Sequence, residues 1–450
     1  MKQALALSVV GHTNTGKTSL MRTLLRDSNF GEVKNAAATT RHVEEAAISD
    51  DDVPLVLLYD TPGLEDAGGV LDWLENETST QLDGIERLQQ FLVSNAAKNG
   101  FSQEAKVLRQ VLNSDMALYV VDAREPVLPK YRDELTVLSW CAKPIVPVFN
   151  FTAEQDLGDW QTMLARRGLH VWCSFDTVAF DFESEIRLWN NLATMLPERN
   201  VLDKLAQIRR REWQKLDEQA RLAIAHFLLN VAACRKSCDA DKEEQIMLLQ
   251  HQMQNDVRQL EHQLHQQLLS LYRFYHNALD ASDWALQAFY QSPFDSDLLK
   301  QYGIRTGKGA AAGALIGLGL DALTLGTSLG TASAIGGLIG GIVPNWQTLS
   351  DKIKGIATLH IDAPTLTLLA ARNLDLLAAL QKRGHAAQNE ITLHSNQTPW
   401  SANRLPESLN QARHQAKWSQ LNGENPVVAE QARHVTAKEL VKHLHLPQFQ

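Results

Sequence analysis

Nine consecutive residues, Gly11-His12-Thr13-Asn14-Thr15-Gly16-Lys17-Thr18-Ser19, have the types and spacing to hold a phosphate chain. They fit G-x-x-x-x-G-K-[ST], in which glycines let the backbone wrap an anion and loop N–H groups face it. In that geometry Lys17 reaches the β- and γ-phosphates and the Thr18 hydroxyl holds Mg²⁺. A second cluster, Asp60-Thr61-Pro62-Gly63, supplies the complement. Asp60 is a carboxylate suited to hold Mg²⁺ through water, and the Gly63 N–H can sense the γ-phosphate. Between the two lies Ala38-Thr39-Thr40-Arg41 in a polar stretch. A threonine there can close the Mg²⁺ shell when the γ-phosphate is present and let go after hydrolysis. The chemistry in reach is cleavage of a nucleoside triphosphate.

Such residues work only if the right elements carry them. Ala4 to Val10 is a short apolar run that reads as a first strand, and Leu20–Leu25 reads as the start of a helix. Strand, loop and helix in this order aim a helix N-terminus at the anion. A chance glycine loop is the alternative, and the flanking strand and helix weigh against it. Pro54–Tyr59 is a second apolar run and delivers Asp60 at its end.

Together with Ser114–Pro126 (SDMALYVVDAREP), these motifs resemble the Era-like group of translation-factor-class GTPases, from the first strand to about Phe175. The resemblance implies an α/β P-loop GTPase domain, with a mostly parallel sheet and helices on both faces. It implies GTP as substrate, GDP as product and Mg²⁺ as cofactor. Residues Gly11, His12, Thr13, Asn14, Thr15, Gly16, Lys17, Thr18 and Ser19 would bind nucleotide. Thr18, Thr40 and Asp60 would serve Mg²⁺, with Thr40 chosen over Thr39 as the second threonine of the group's T-T-R switch. Asn14 stands where the group places a potassium ligand. Leu64 stands where Ras-like enzymes orient water with Gln, and its place in the group implies that K⁺ supplies the positive charge of an arginine finger. Lys17, Thr40 and Gly63 are the expected catalytic residues.

One motif departs from the group. Guanine is read by N-K-x-D after a strand, and the matching strand Pro144–Phe149 is followed by Asn150-Phe151-Thr152-Ala153. Asn150 is in register. Phe151 replaces the lysine and offers a stacking face, while Ala153 removes the carboxylate that accepts from the guanine N1–H and N2–H₂ groups. Glu154 or Asp156 are candidate substitutes. Cys173-Ser174-Phe175, after the strand Leu169–Trp172, is matched to the last base-contacting loop through Ser174.

At 450 residues, 44% hydrophobic and 21% charged, the chain is globular and long enough for two or three domains. Four cysteines (Cys141, Cys173, Cys234, Cys238) are too few and scattered for a disulfide framework, which suits a reducing cytosol. A formal net charge of −9 argues against a large nucleic-acid footprint. The opening MKQALALSVV runs straight into the phosphate loop and reads as a cytosolic strand rather than a leader.

The expected organisation is a G domain over 1–197, long amphipathic helices over 198–300, a glycine-rich helical hairpin over 301–347 and a small mixed or helical domain over 348–450. The G domain is enlarged by a helical insertion at about 64–114, where Leu88, Phe91, Leu92, Val107, Leu108, Val111 and Leu112 fall at helical spacing. That insertion is either an effector or dimer surface or a passive cover. Ile246, Leu249, Met253, Val257, Leu260, Leu264, Leu268 and Leu271 form one apolar stripe, with His251, His262 and His265 read as solvated helix-face residues. Gly307–Trp346 carries glycines at four-residue steps, which suggests close helix–helix contact. Three readings compete there: a buried helix pair, a membrane-dipping hairpin and a flexible linker. Strands are expected at Ile356–Ile361 and Asn389–Leu393, and helices at Leu366–Gln381, Pro406–Trp418 and Val427–Leu444. The function expected is a nucleotide switch in the cytoplasm or at the cytoplasmic face of the inner membrane. Its output would be a change of self-association or of membrane contact through 307–346. The alternatives are a nucleotide-binding scaffold or membrane-remodelling module with little turnover, and a ribosome-assembly GTPase.

Overall fold

The computed structural model describes residues 4–27, 30–31, 43–153, 155–239, 242–274, 291–304, 318–320, 356–385, 387, 397–402, 404–423 and 430–445. The chain divides into two compact units. The first comprises residues 1–214 together with 272–276 and 381–388.

The first unit is built on a six-stranded sheet in the order β2-β3-β1-β4-β5-β6. Its strands are β1 (Leu5–Val10), β2 (Glu44–Asp50), β3 (Val53–Asp60), β4 (Met116–Asp122), β5 (Ile145–Asn150) and β6 (Cys173–Ser174). Only the β2–β3 pair is antiparallel; β1 lies parallel between β3 and β4. Strands β4 and β5 are buried at every residue. Their unbroken apolar runs are what a parallel sheet covered on both faces demands.

Side chains alternate across this sheet. Met116, Leu118 and Val120 join Leu7 and Val9 on one face, under Leu20, Met21 and Leu24 of helix α1 (Lys17–Leu25). Ala117, Tyr119 and Val121 point to the other face. That face is roofed by α2 (Ala67–Glu77), α3 (Gly84–Val93), α4 (Asn95–Lys98), α5 (Ser102–Asn113), α6 (Pro129–Ser139) and α7 (Gly158–Ala165). Helices α2 to α5 fill the stretch expected as a helical insertion, and they bury Leu88, Phe91, Val107, Leu108 and Val111 in this core. Helix α8 (Phe182–Ala193) and the start of α9 (Arg199–Ala232) return to the first face through Trp189, Leu192, Leu202 and Leu205.

The second unit is mainly helical. Alongside most of α9 it contains α10 (Glu243–Leu271), α11 (Ser296–Gln301), α12 (Ala363–Gln381, whose last residue belongs to the first unit), α13 (Glu407–Arg413) and α14 (Glu430–Val441). Three strands also occur: β7 (Arg235–Asp239), β8 (Leu318–Leu320) and β9 (Ile356–Ile361), antiparallel in the order β7-β9-β8.

Three expectations need correction. Leu169–Trp172, read as a strand, forms none, and β6 begins at Cys173. Leu318–Leu320 sit inside the segment read as a helical hairpin, yet they form β8, because their backbone groups pair with β9 rather than with a helical turn. The rest of Gly307–Trp346 lies outside the described residues, as do Thr39, Thr40, Glu154 and the proposed strand Asn389–Leu393. Among the described residues, no helix is long and apolar enough to cross a membrane. His265 is buried rather than solvated: its Nε2 lies 3.1 Å from Asn373 Oδ1. Burial pushes its imidazole pKa down to about 3, so it sits neutral in the core.

Because Leu7 lies fully buried in the central strand, Leu7→Ala should cost the first unit about 2–5 kcal/mol, seen as a lower denaturation midpoint. A loss under about 1 kcal/mol would place this strand outside the core.

Candidate functional site

The site forms where the strand order reverses. Strand β1 has β3 on one side and β4 on the other, so the loops after these strands open a crevice at their carboxyl ends. The loop Gly11–Gly16 leaves β1 there. Gly11 (φ 142°) and Gly16 (φ 90°) adopt backbone angles that side chains disfavour, and a Cβ at Gly11 would lie 2.5 Å from the Val120 carbonyl oxygen. Asn14 (φ 66°) makes a third left-handed turn at the exposed tip.

Inside the loop, the Lys17 ammonium donates to the carbonyls of Gly11 (3.1 Å) and His12 (2.7 Å). Burial lowers its pKa to about 8, against the charges of Asp60, Glu134 and Glu65. At the start of α1, Thr18 Oγ1 donates to Asp60 Oδ2 at 2.6 Å. Asp60 closes β3, and its Oδ1 is buried with no hydrogen-bond partner among the described residues. Burial raises the Asp60 pKa to about 6, although the Thr18 hydroxyl and Lys17 pull it down. A buried carboxylate oxygen without a donor, beside a hydroxyl, is a hard-oxygen set that fits Mg²⁺. Ser19 follows Thr18 in the first turn of α1, and Thr15 Oγ1 donates back to the His12 carbonyl at 3.0 Å.

The segment after β3 closes over the loop. The Leu64 N–H donates to the Gly11 carbonyl (3.1 Å), Thr13 Oγ1 donates to Glu65 (2.8 Å), and a Cβ at Gly63 would collide with Thr13. Three residues missed by motif reading fix this segment. Gln103 Nε2 donates to the Gly63 carbonyl at 2.7 Å. Glu104 Oε1 accepts the N–H groups of Glu65 (3.3 Å) and Asp66 (3.1 Å). Glu134 accepts from His12 Nδ1 (2.8 Å) and from the Tyr119 hydroxyl (2.7 Å). His12 Nδ1 also lies 2.9 Å from the Leu64 carbonyl, so with two acceptors around it this nitrogen carries the hydrogen. The one sequence signal for Glu134 was its place beside Tyr131, Leu135 and Leu138 on the apolar face of α6.

On the base side, Asn150 ends β5 and ties three loops. Its Nδ2 donates to the Thr15 carbonyl (3.2 Å), and its Oδ1 accepts from Phe151 N (2.9 Å) and from Thr177 N and Oγ1 (both 3.0 Å). Phe151 (φ 56°) lies beside Gly16, and the Arg124 guanidinium covers its ring at 4.0 Å while pairing with both oxygens of Asp122. Ser174 lies inside β6, in register with Phe149; the loop that meets Asn150 is Asp176–Ala179, a few residues further on. Asp176 accepts from Thr152 N through Oδ2 and from Val178 N and Ala179 N through Oδ1, all at 2.9 Å. Asp156 caps its own turn by accepting from Gly158 N.

Residues 6–151 match the family described as 50S ribosome-binding GTPase, and residues 161–442 match the family described as Domain of unknown function (DUF3482). The tRNA modification GTPase MnmE of Staphylococcus haemolyticus is 30% identical over 122 residues, covering 27% of this chain and 26% of that protein. MnmE of Magnetococcus marinus is 31% identical over 133 residues, covering 29% and 28%. The chain thus spans about a quarter of the length of the curated relatives it matches. Among solved structures, Era with MgGDPNP and a 16S ribosomal RNA segment superposes with TM-score 0.32 at 16% identity, covering 44% of this chain and 58% of that one. The G domain of the T. maritima FeoB iron transporter gives TM-score 0.26 at 16% identity, covering 42% and 99%.

The buried charge of Asp60 leaves a measurable trace. Between pH 3.8 and about 6 the folded chain holds the Asp60 proton more tightly than the unfolded chain, so this group's contribution to stability falls as pH rises through that window. Asp60→Asn should therefore stabilise the ligand-free protein at pH 7 by about 1–3 kcal/mol, with the gain shrinking towards pH 4. A melting temperature that drops at pH 7 would contradict this. The family match across more than half of the chain leads to one placement: the chain belongs to the family of Domain of unknown function (DUF3482) proteins, and its first unit carries a GTPase domain of the P-loop class, matched over residues 6–151.

Proposed function

We propose that the chain hydrolyses GTP with Mg²⁺, is stimulated by K⁺, and works as a nucleotide switch. The observation that carries this reading is the Thr18–Asp60 pair at 2.6 Å beside the buried Lys17, with Asp60 Oδ1 left without a donor. When bound there, Mg²⁺ would neutralise phosphate charge between Thr18 and Asp60. Lys17 exchanges the Gly11 and His12 carbonyls for phosphate oxygens, and its lowered pKa means that nucleotide binding near pH 8 takes up a proton. The Gly63 N–H reports the γ-phosphate, and Thr40 is assigned to close the Mg²⁺ shell. Asn14 is assigned to K⁺ on the resemblance alone. Water would attack in line, with Lys17 placed to take up charge that develops on the phosphate oxygens.

The signal has a ready route outwards. Gln103 and Glu104 of α5 hold the backbone of Gly63, Glu65 and Asp66, so a shift of Gly63 moves the helices that roof the sheet. This favours the effector reading of the 64–114 insertion over a passive cover. The DUF3482 half is then the output, with membrane contact or self-association through 307–346 as its proposed form. The ribosome-assembly reading gains support from the family description of residues 6–151, and the net charge of −9 weighs against it.

Lys17→Ala should cut GTP turnover at least about 100-fold in the full chain. Activity within tenfold of the parent protein would overturn the assignment. Replacing K⁺ by Na⁺ should slow the parent enzyme and leave Asn14→Ala unaffected. Tight GTP binding without turnover in either salt would shift the reading to a nucleotide-binding scaffold.

A further inference from the structure

The loop Thr177–Ala179 is gripped from two sides. From one side Asn150 Oδ1 holds Thr177 through two hydrogen bonds, and Asn150 Nδ2 reaches the phosphate loop at Thr15. From the other side comes a short segment that follows α12, more than two hundred residues later in the chain. Gly384 N donates to the Val178 carbonyl at 3.1 Å, and Arg383 pairs with Ala179 in an antiparallel bridge. The approach is so close that a Cβ at Gly384 would overlap the Thr177 carbonyl. No L side chain fits there without moving one backbone or the other.

This strap is itself anchored inside the first unit. Gln381 Nε2 donates to the Tyr272 hydroxyl (3.0 Å), and His385 Nε2 donates to the Tyr272 carbonyl (3.1 Å). The His385 ring stacks on Phe274 at 4.6 Å, and Arg383 caps the turn through the Ala387 carbonyl at 3.0 Å. Tyr272 packs edge-on against Trp213, which carries the Arg26 guanidinium at 5.0 Å. Arg26 is the C-terminal cap of α1, the helix whose first residue is Lys17. The strap therefore touches the base-side loop directly and the far end of the phosphate-binding helix through two aromatic contacts.

We propose that Arg383 and Gly384 are positioning residues of the nucleotide site: the strap they form completes the base-side loop from within the DUF3482 region. The inference rests on the reading of the first unit as a guanine-nucleotide site. Its consequence is that the base-side loop and the strap are held together by one short hydrogen-bonded path inside the first unit. Nucleotide that orders Thr177–Ala179 then favours the closed strap, and by reciprocity a closed strap favours nucleotide. The motif that reads guanine lacks its aspartate at Ala153, so the base side depends more heavily on the backbone of this loop.

The test uses the full chain and fluorescent GDP. Gly384→Ala should weaken GDP binding about tenfold or more. Inorganic tripolyphosphate, which makes no base contact, should compete with unchanged affinity. Gly100→Ala serves as the control, because a Cβ there meets nothing nearer than 4.0 Å. GDP affinity within twofold of the parent in a folded Gly384→Ala chain would overturn the proposal, and so would an equal loss for GDP and tripolyphosphate. A second measurement does not depend on the variant folding. Amide hydrogen exchange at Val178, Ala179 and Gly384 of the parent chain should slow together when GDP binds. Slowing at Val178 and Ala179 without change at Gly384 would also overturn it. If the parent chain binds no GDP at all, the reading of the site as a guanine-nucleotide site fails instead, and the two failures are told apart.

Discussion

A lysine ammonium cannot stay inside a protein without oxygen around it, and Lys17 sets the terms for the rest of this site. Its charge is buried under a loop with its own carbonyls as partners, at 2.7 and 3.1 Å. Desolvation lowers its pKa, and Asp60, Glu134 and Glu65 supply the negative field that opposes this. Each of these carboxylates comes from a different element. Asp60 ends β3, Glu65 follows it, and Glu134 rises from α6. These elements meet around one cation beside the carboxyl end of β1, which lies between β3 and β4.

Buried carboxylates also explain how the site is joined to its surroundings. Glu134 is enclosed, and such a charge survives only when its oxygens are hydrogen-bonded. Tyr119 from β4 and His12 from the phosphate loop meet that need, and His12 in turn faces the Leu64 carbonyl. Sheet, phosphate loop and post-β3 segment are thereby fixed to one another by a single side chain. Glu104 does the same from α5 for the backbone of Glu65 and Asp66. The helices between β3 and β4 are thus in polar contact with the segment that follows Asp60, as well as in apolar contact with the sheet.

The second unit uses the same device away from any nucleotide motif. Glu261 of α10 pairs with Arg372 of α12 at 3.1 Å and accepts from Asn373 at 3.0 Å; Asn373 meets His265, and Tyr302 donates to Asp375 at 2.7 Å. All of these groups are buried. Replacing one partner would strand the other, so the network fixes which turn of α10 faces which turn of α12. An apolar stripe alone tolerates sliding by a turn; directional hydrogen bonds do not.

Local chemistry was legible in the sequence. The strand–loop–helix order around Gly11, Gly16, Lys17 and Thr18 was legible from their spacing between an apolar run and a helix start, and β1, the loop and α1 follow in that order. Asp60 at the end of another apolar run was legible for the same reason, as were the helices between β3 and β4, from the periodicity of Leu88 to Leu112. Helix–glycine reasoning failed at Leu318–Leu320, since strand pairing with a partner about forty residues away leaves no local trace. Spacing could not reveal Gln103 or Glu104, and for Glu134 it showed only a place on the apolar face of α6; their roles exist only once α5 and α6 pack beside the loop. Solvation was misjudged at His265 because α10 is polar on most faces, and only its packing partner decides which face is dry. The sequence by itself determined the candidate phosphate loop, since such a loop is one short contiguous segment. Tertiary structure alone decided what surrounds it: the base-side loop Thr177–Ala179, the buried carboxylates and the strap at Gly384 are brought together by long-range backbone contacts, which no local pattern encodes.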